Sequence, residues 1–351
     1  MMLIQNATLY TMETAPFVGD VRFEEGKILE VGTGLKRKEN EETLDATGFN
    51  LYPGLVEAHG HIGLDGWGMG YEGHDYNEMN DPVCPQERAI DGFNPNDEGI
   101  RRALQAGVTT LCTGPGSADV LGGTFIAVKL YGDRVDDMLL KDGVAMKCAF
   151  GENPKRCYKE KGISARMTTA AKLREALFKA QEYKRKKEEG KDPAFDMKME
   201  ALLPVVEGKM PLKAHAHQAN DIFTAIRIAK EFHVRLTLEH VTEGHLVAEK
   251  LAKEGYYMAV GPLATHASKV ELQNRTEATP GILQRAGAHV SIITDCPVIP
   301  LNLLPVSAGL AARAGMDPYE ALKAITVHPA EHIGCEDRVG SIKVGKDADL
   351  L

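Results

Sequence analysis

Residues 52–63 read Tyr52-Pro53-Gly54-Leu55-Val56-Glu57-Ala58-His59-Gly60-His61-Ile62-Gly63. The run from Leu51 to Ala58 predicts a buried strand, and two histidines stand where it ends. Side chains two apart on a strand point the same way. Both imidazoles can then face one cation, with Gly60 leaving room between them. The chain has 12 histidines, so an HxH pair alone says little. Its position at a strand end gives it weight.

Working outward, the chain alternates strands and helices. Before residue 52 there are only short strands: Leu3-Ile4, Leu9-Tyr10, and Val21 to Leu29 turning at Glu25-Gly26-Lys27. After it come predicted strands at Val108–Cys112, Phe125–Tyr131, Gly143–Phe150, Leu212–Ala214, Val234–Leu238, Tyr256–Val260 and His289–Thr294. Helices are predicted at 98–106, stopped by Gly107, at 168–189, and along the apolar face Ile222, Ala225, Ile226, Ala229 and Phe232. Strands alternating with helices imply a parallel sheet. About eight of them, in apolar runs, favour a closed (β/α)₈ barrel. A turn is expected at Gly122-Gly123.

Composition bounds the class. The length of 351 residues suits one barrel of roughly 250 plus a smaller unit. Hydrophobic residues at 43% and charged residues at 26% argue for a globular protein. A net charge of −9 disfavours nucleic acid; the basic run Lys184–Lys187 is followed at once by Glu188-Glu189, as on a solvated helix face. The six cysteines form no CxxC pair and several lie in apolar runs, pointing to reduced thiols and a cytoplasmic setting. The start MMLIQNATLYT lacks the basic and apolar pattern of a signal peptide, and no stretch reaches the ~20 apolar residues of a membrane span. The expected partner is a small-molecule substrate. Association with further copies of the chain is left open.

The informative polar residues fall at C-terminal strand ends: His59 and His61 at the first, His215 at the fifth, His240 at the sixth and Asp295 at the eighth. In such a barrel these ends converge on one face, where active sites are built. His217, two residues beyond His215, faces the same way and is expected to line the pocket. His266 follows the seventh strand and can reach the pocket. Gly66-Trp67-Gly68-Met69-Gly70-Tyr71 follows the first pair and is expected to cover the substrate.

PGLVEAHGHIG resembles the first-strand signature of the amidohydrolase superfamily. The likeness continues through AGVTT at 106–110, KAHAHQANDI at 213–222, LEHVTEG at 238–244, ITDCPVIPL at 293–301, VHPAEHIG at 327–334 and GSIKVGKDADL at 340–350. It is nearest to the imidazolonepropionase and prolidase-like group. The resemblance implies an α/β fold: a (β/α)₈ barrel at 53–334 with a small β-sandwich domain formed by the chain termini. Residues 1–52 supply the N-terminal part of that domain, and 335–351 return to it. Family members usually continue with further strands there, so the small domain is expected to be incomplete. The resemblance also implies a metal held by His59, His61, His215 and Asp295, with His240 nearby. In two-metal members a CO₂-carboxylated lysine late in the fourth strand bridges the ions. Lys147 in GVAMKCAF is the candidate, with Glu152 as a carboxylate alternative.

The chemistry fits these residue types. Hydrolysis of a C–N bond needs a nucleophile at neutral pH, and a bound divalent cation lowers the pKa of water from 15.7 to roughly 7. Imidazoles with one carboxylate suit zinc, and also iron or manganese, as one ion or two. Asp295 is expected to take the proton and pass it to the leaving nitrogen, and His240 to stabilise the oxyanion or bind a second ion. Lys155-Arg156 could hold a substrate carboxylate. The expected activity is hydrolysis of a cyclic amide or amidine-like substrate. Two alternatives stand beside it: a prolidase-like dipeptidase or carboxypeptidase with two metals, and a non-catalytic barrel acting as a binding protein. The second usually loses ligands, and here none of the core four is missing.

Overall fold

A computed structural model describes residues 1–351. The N-terminal segment forms one five-stranded sheet centred on Met2–Leu9. That strand pairs antiparallel with Phe17–Glu24 and parallel with Glu42–Asp45 and Asn50–Leu51. Leu3-Ile4 and Leu9 thus share one strand, bent by a register shift between Ile4 and Ala7 where Asn6 is left-handed at φ 62°. Leu51 belongs to this sheet, and the first core strand begins only at Leu55. The last residues return to the same unit: the Ile28 amide donates to the Lys346 carbonyl, and Tyr52 and Leu351 exchange backbone bonds.

The core strands are Leu55–Gly60, Val108–Thr113, Met146–Ala149, Leu212–Ala216, Leu236–His240, Tyr257–Val260 and His289–Ile292, with a broken strand, Leu121–Thr124 and Ile126–Lys129, between the second and the next. The first two run parallel, as do the last five. The broken strand does not. Ile126–Lys129 is antiparallel to Val108–Thr113, and Leu121–Thr124 is antiparallel to Met146–Ala149. This corrects the all-parallel expectation. A parallel crossover takes a dozen or more residues, whereas only residues 114–120 join Thr113 to Leu121. The chain must turn straight back.

Gly122-Gly123 is likewise extended rather than a turn. Gly123 sits at φ +99°, and a Cβ there would lie 2.4 Å from the Glu87 carbonyl oxygen. The glycine lets the segment 82–88 run against the strand, with Thr124 N donating to Glu87 O. The fold is mixed α/β. Apolar helix faces pack outside the strands, as in Ala219–Phe232, where Ile222, Ala225, Ile226, Ala229 and Phe232 are all buried. Asp97 caps the Glu98–Gln105 helix by accepting from Gly99 N. No helix is long and apolar enough to cross a membrane.

The first and last core strands are joined through a side chain. Buried Glu57 accepts from the Thr294 amide at 2.9 Å and hydroxyl at 2.7 Å, and from the His59 amide at 3.1 Å. Beyond it, His61 N donates to Cys296 O at 2.7 Å. Gly60 serves this junction: a Cβ on it would meet Cys296 Sγ at 2.3 Å. Its small size brings the Cys296 segment close, which sets Asp295 beside the two histidines.

Candidate active site

The strand ends bring the expected residues together. His61 Nε2 lies 3.2 Å from Asp295 Oδ1, and His59 Nε2 lies 3.7 Å from the same oxygen. Ligand atoms of His59, His240 and Asp295 fall within 4.8 Å of one another, as do those of His215, His217 and His240. His240 belongs to both groups. All five imidazoles are buried. His240, at the end of its strand, and Asp295, just beyond His289–Ile292, are in left-handed backbone, at φ 73° and 53°. Such conformations cost about 1–3 kcal/mol each and persist where the surroundings impose them, often at functional sites.

Hydrogen bonds fix which nitrogen faces the cluster. A carbonyl only accepts, so His61 Nδ1 donates to Gly114 O at 2.8 Å and His240 Nδ1 donates to Gly261 O at 2.9 Å. Each leaves a bare Nε2 lone pair. An Nε2 without hydrogen cannot donate to an oxyanion, so this geometry favours His240 as a ligand over the oxyanion role. Burial depresses His59, His215 and His217 well below the ordinary imidazole value, and His240 to about 4. Neutral imidazoles are the form that binds cations.

The cluster fits a divalent ion. His215 Nδ1 and Nε2 and Asp295 Oδ1 are buried without a hydrogen-bond partner. Leaving such an atom unpaired costs about 1–3 kcal/mol, and a cation would satisfy a lone pair on each residue. Lys147 is fully buried, with Nζ 3.3 Å from His59 Nε2. Burial lowers its ammonium to about 8. It points into the histidine cluster, as a bridging position requires.

A cavity of about 320 Å³ opens over this cluster, lined by His61, His215, His217, Asp295, Arg156 and Lys269 among others. His217 therefore does more than line the pocket, since it also joins one ligand trio. His266 is exposed and does not line this cavity; the reach expected of it belongs to Lys269, which lines the cavity, and to Glu271, which lies against His215 and His217. Glu271 Oε1 lies 3.6 Å from His217 Nε2, 3.8 Å from His215 Nε2 and 2.6 Å from Lys269 Nζ. Sequence reading missed Glu271, which sits in a polar stretch with no strand-end position to mark it. Glu152 begins a helix, and its amide donates to Glu271 Oε2. The segment Gly66–Tyr71 does not line the cavity; Trp67 packs under Arg102, and Tyr76 and Asn77 form that wall.

Residues 50–351 match the model of the Amidohydrolase family. The chain belongs to the amidohydrolase family. Its structure superposes on an amidohydrolase from Thermotoga maritima MSB8 with a TM-score of 0.96 and 43% identity, covering 100% of this chain and 93% of that one. In sequence it is 28% identical over 398 residues to amidohydrolase tasK of Hapsidospora irregularis, covering 99% of this chain and 40% of that protein. It is 30% identical over 149 residues to an imidazolonepropionase of Pseudomonas fluorescens, covering 40% of this chain and 35% of that protein. The chain thus spans less than half the length of these two relatives.

Proposed function

We propose that this amidohydrolase is a metal-dependent hydrolase of a C–N bond in a small substrate, cyclic amide or amidine-like first, and that its core strands close into a (β/α)₈-type barrel with a reversed third strand. The observation that carries the reading is the pair of ligand trios sharing His240, with Lys147 turned toward them. His59, His61 and Asp295 would hold one ion, and His215 and His240 a second, with a carboxylated Lys147 between. A bound divalent ion, zinc first, would supply an activated water and a Lewis acid for the attacked carbonyl.

The protein's residues do the rest. Asp295, beside His59 and His61, accepts the water's proton and delivers it to the leaving nitrogen. Arg156 lines the cavity and holds a substrate carboxylate by charge-assisted hydrogen bonds. Lys269 is pinned by Glu271 and by Asn153 Oδ1 at 3.1 Å, so it presents a fixed wall rather than a free charge. The names of the relatives, amidohydrolase and imidazolonepropionase, support this class. A prolidase-like dipeptidase or carboxypeptidase is the second reading, which the same two-ion site with an inward Lys147 would serve equally well.

Elemental analysis of the purified protein, followed by assays on cyclic amides, ureas and dipeptides, tests both. Stoichiometric metal with turnover of a cyclic amide or amidine supports the first reading, and dipeptide turnover supports the second. Absence of stoichiometric metal after reconstitution would sink both.

A further inference from the structure

Beneath the proposed ligands lies a second polar cluster that the reaction does not use. Glu239 is fully buried and meets four groups. Its Oε1 accepts from Thr237 Oγ1 at 2.8 Å and lies 3.1 Å from His332 Nε2. Its Oε2 lies 3.0 Å from Lys213 Nζ and 3.3 Å from His59 Nδ1. Lys213 also donates to the Ala58 carbonyl, one residue before His59, at 3.0 Å.

The contact with His59 is particular to that ring. His61 and His240 each give their Nδ1 proton to a backbone carbonyl, and His217 Nδ1 lies 2.7 Å from the Thr242 hydroxyl. All three partners are neutral. His59 alone has a carboxylate beside Nδ1, at 3.3 Å, and neither that nitrogen nor Glu239 Oε2 has another hydrogen-bond partner in the resting geometry, so each is left for the other. Its Nε2 faces Lys147 and Asp295. Only the tautomer with hydrogen on Nδ1 satisfies both sides: it gives Glu239 a donor and leaves the Nε2 lone pair toward the cluster. A ring backed by a carboxylate is held in one orientation and is a more basic ligand than one backed by a carbonyl.

We propose that Glu239 is a positioning residue. It fixes the tautomer and orientation of His59, is itself held by Lys213, His332 and Thr237, and so sets how tightly the His59–His61–Asp295 position keeps its ion. The proposal rests on the metal-centre reading above.

The test compares metal retention in wild-type protein, Glu239→Gln and the double variant Glu239→Gln/Lys213→Met. The double variant removes both buried charges together and serves if the single variant does not fold. Each protein is loaded with zinc and titrated with a chelator, following free zinc, with thermal unfolding measured alongside. Losing an outer partner of a metal-bound histidine costs about 10–100-fold in affinity. That loss should fall on one ion, with the other retained, in protein that stays folded. A merely structural Glu239 would lower the unfolding temperature and leave the chelator midpoint where it was. Wild-type midpoints for both ions in a folded variant overturn this proposal and leave the metal centre standing. A wild-type protein that binds no zinc overturns both.

Discussion

Lys147 and Lys213 stand side by side as register partners on adjacent parallel strands. Both are buried, and both lie over the Phe125 ring, at 5.5 and 5.3 Å. Their surroundings differ. Lys213 has the Glu239 carboxylate at 3.0 Å and the Ala58 carbonyl. Lys147 has one hydrogen-bonding neighbour, the uncharged edge of His59. A buried cation is costly unless paired, so a closed pair marks a structural element and an amine without a counter-ion marks one kept for chemistry. The same division separates the floor of the core, where the Lys213 cation and the Glu239 carboxylate face each other and Thr237 and His332 meet Glu239 Oε1, from the mouth, where both His215 ring nitrogens are without a hydrogen-bond partner.

The contrast can be broken most sharply at the mouth. Asp295→Asn should lower kcat by at least ~10²–10⁴-fold, the worth of a general base, because an amide cannot take the proton. Steady-state kinetics on protein assayed for metal checks it; near wild-type turnover with metal bound would remove Asp295 from its assigned role. At the floor the effect should appear in stability. Lys213→Met leaves Glu239 buried without its cation, and breaking one side of such a pair costs about 3–5 kcal/mol. Urea unfolding measures this, and a loss below about 1 kcal/mol would show that the floor is not held as a charge pair.

Lys147→Ala sharpens the comparison between the two lysines. Metal content should fall from two ions to one or none, and short carboxylic acids that mimic the carbamate should restore part of the activity. Unchanged stoichiometry would make Lys147 as structural as its neighbour.

The smallest effect is expected at a carboxyl outside both regions. Burial pushes Asp119 up to about 7, although the Tyr158 hydroxyl donates to it. A folded-state pKa above the unfolded value means the folded protein binds this proton more tightly. The destabilisation is therefore absent at low pH and grows as pH rises from about 4 through 7. Asp119→Asn keeps an acceptor for Tyr158 without the charge. Its stability relative to wild type should improve from pH 5 to pH 8; a difference that does not change with pH would refute the assignment.

Much of the mouth was legible in the sequence because each ligand follows an apolar run. His59, His215 and His240 lie at the ends of strands, and His61 and Asp295 just beyond the ends of strands, that hydrophobic pattern locates. The floor was not. Nothing near Lys213 or Glu239 in sequence says that they meet, because pairing between neighbouring strands decides it. Glu271 and Lys269 escaped for a similar reason: they lie on a connection whose path over the mouth no periodicity encodes. The reversed third strand was within reach. Seven residues between Thr113 and Leu121 leave no room for a crossover helix, but the apolar run at 125–131 reads the same in either direction.

That reversed strand bears on how the enzyme could be redesigned. The Gly114–Val120 connection does not lead from a strand into a helix that can absorb a change of length. It ties two neighbouring core strands directly, accepts from His61 through the Gly114 carbonyl, and carries Ser117 and Ala118 on the cavity wall. Grafting a longer loop here would shift a proposed ligand and the substrate wall together. The segments after the later strands are tied to each other by side chains, as Glu271 is to Glu152 and Lys269 to Asn153, but each leads on into a helix that can absorb a change of length. Variation in specificity among relatives should therefore accumulate in those segments, with 114–120 conserved in length.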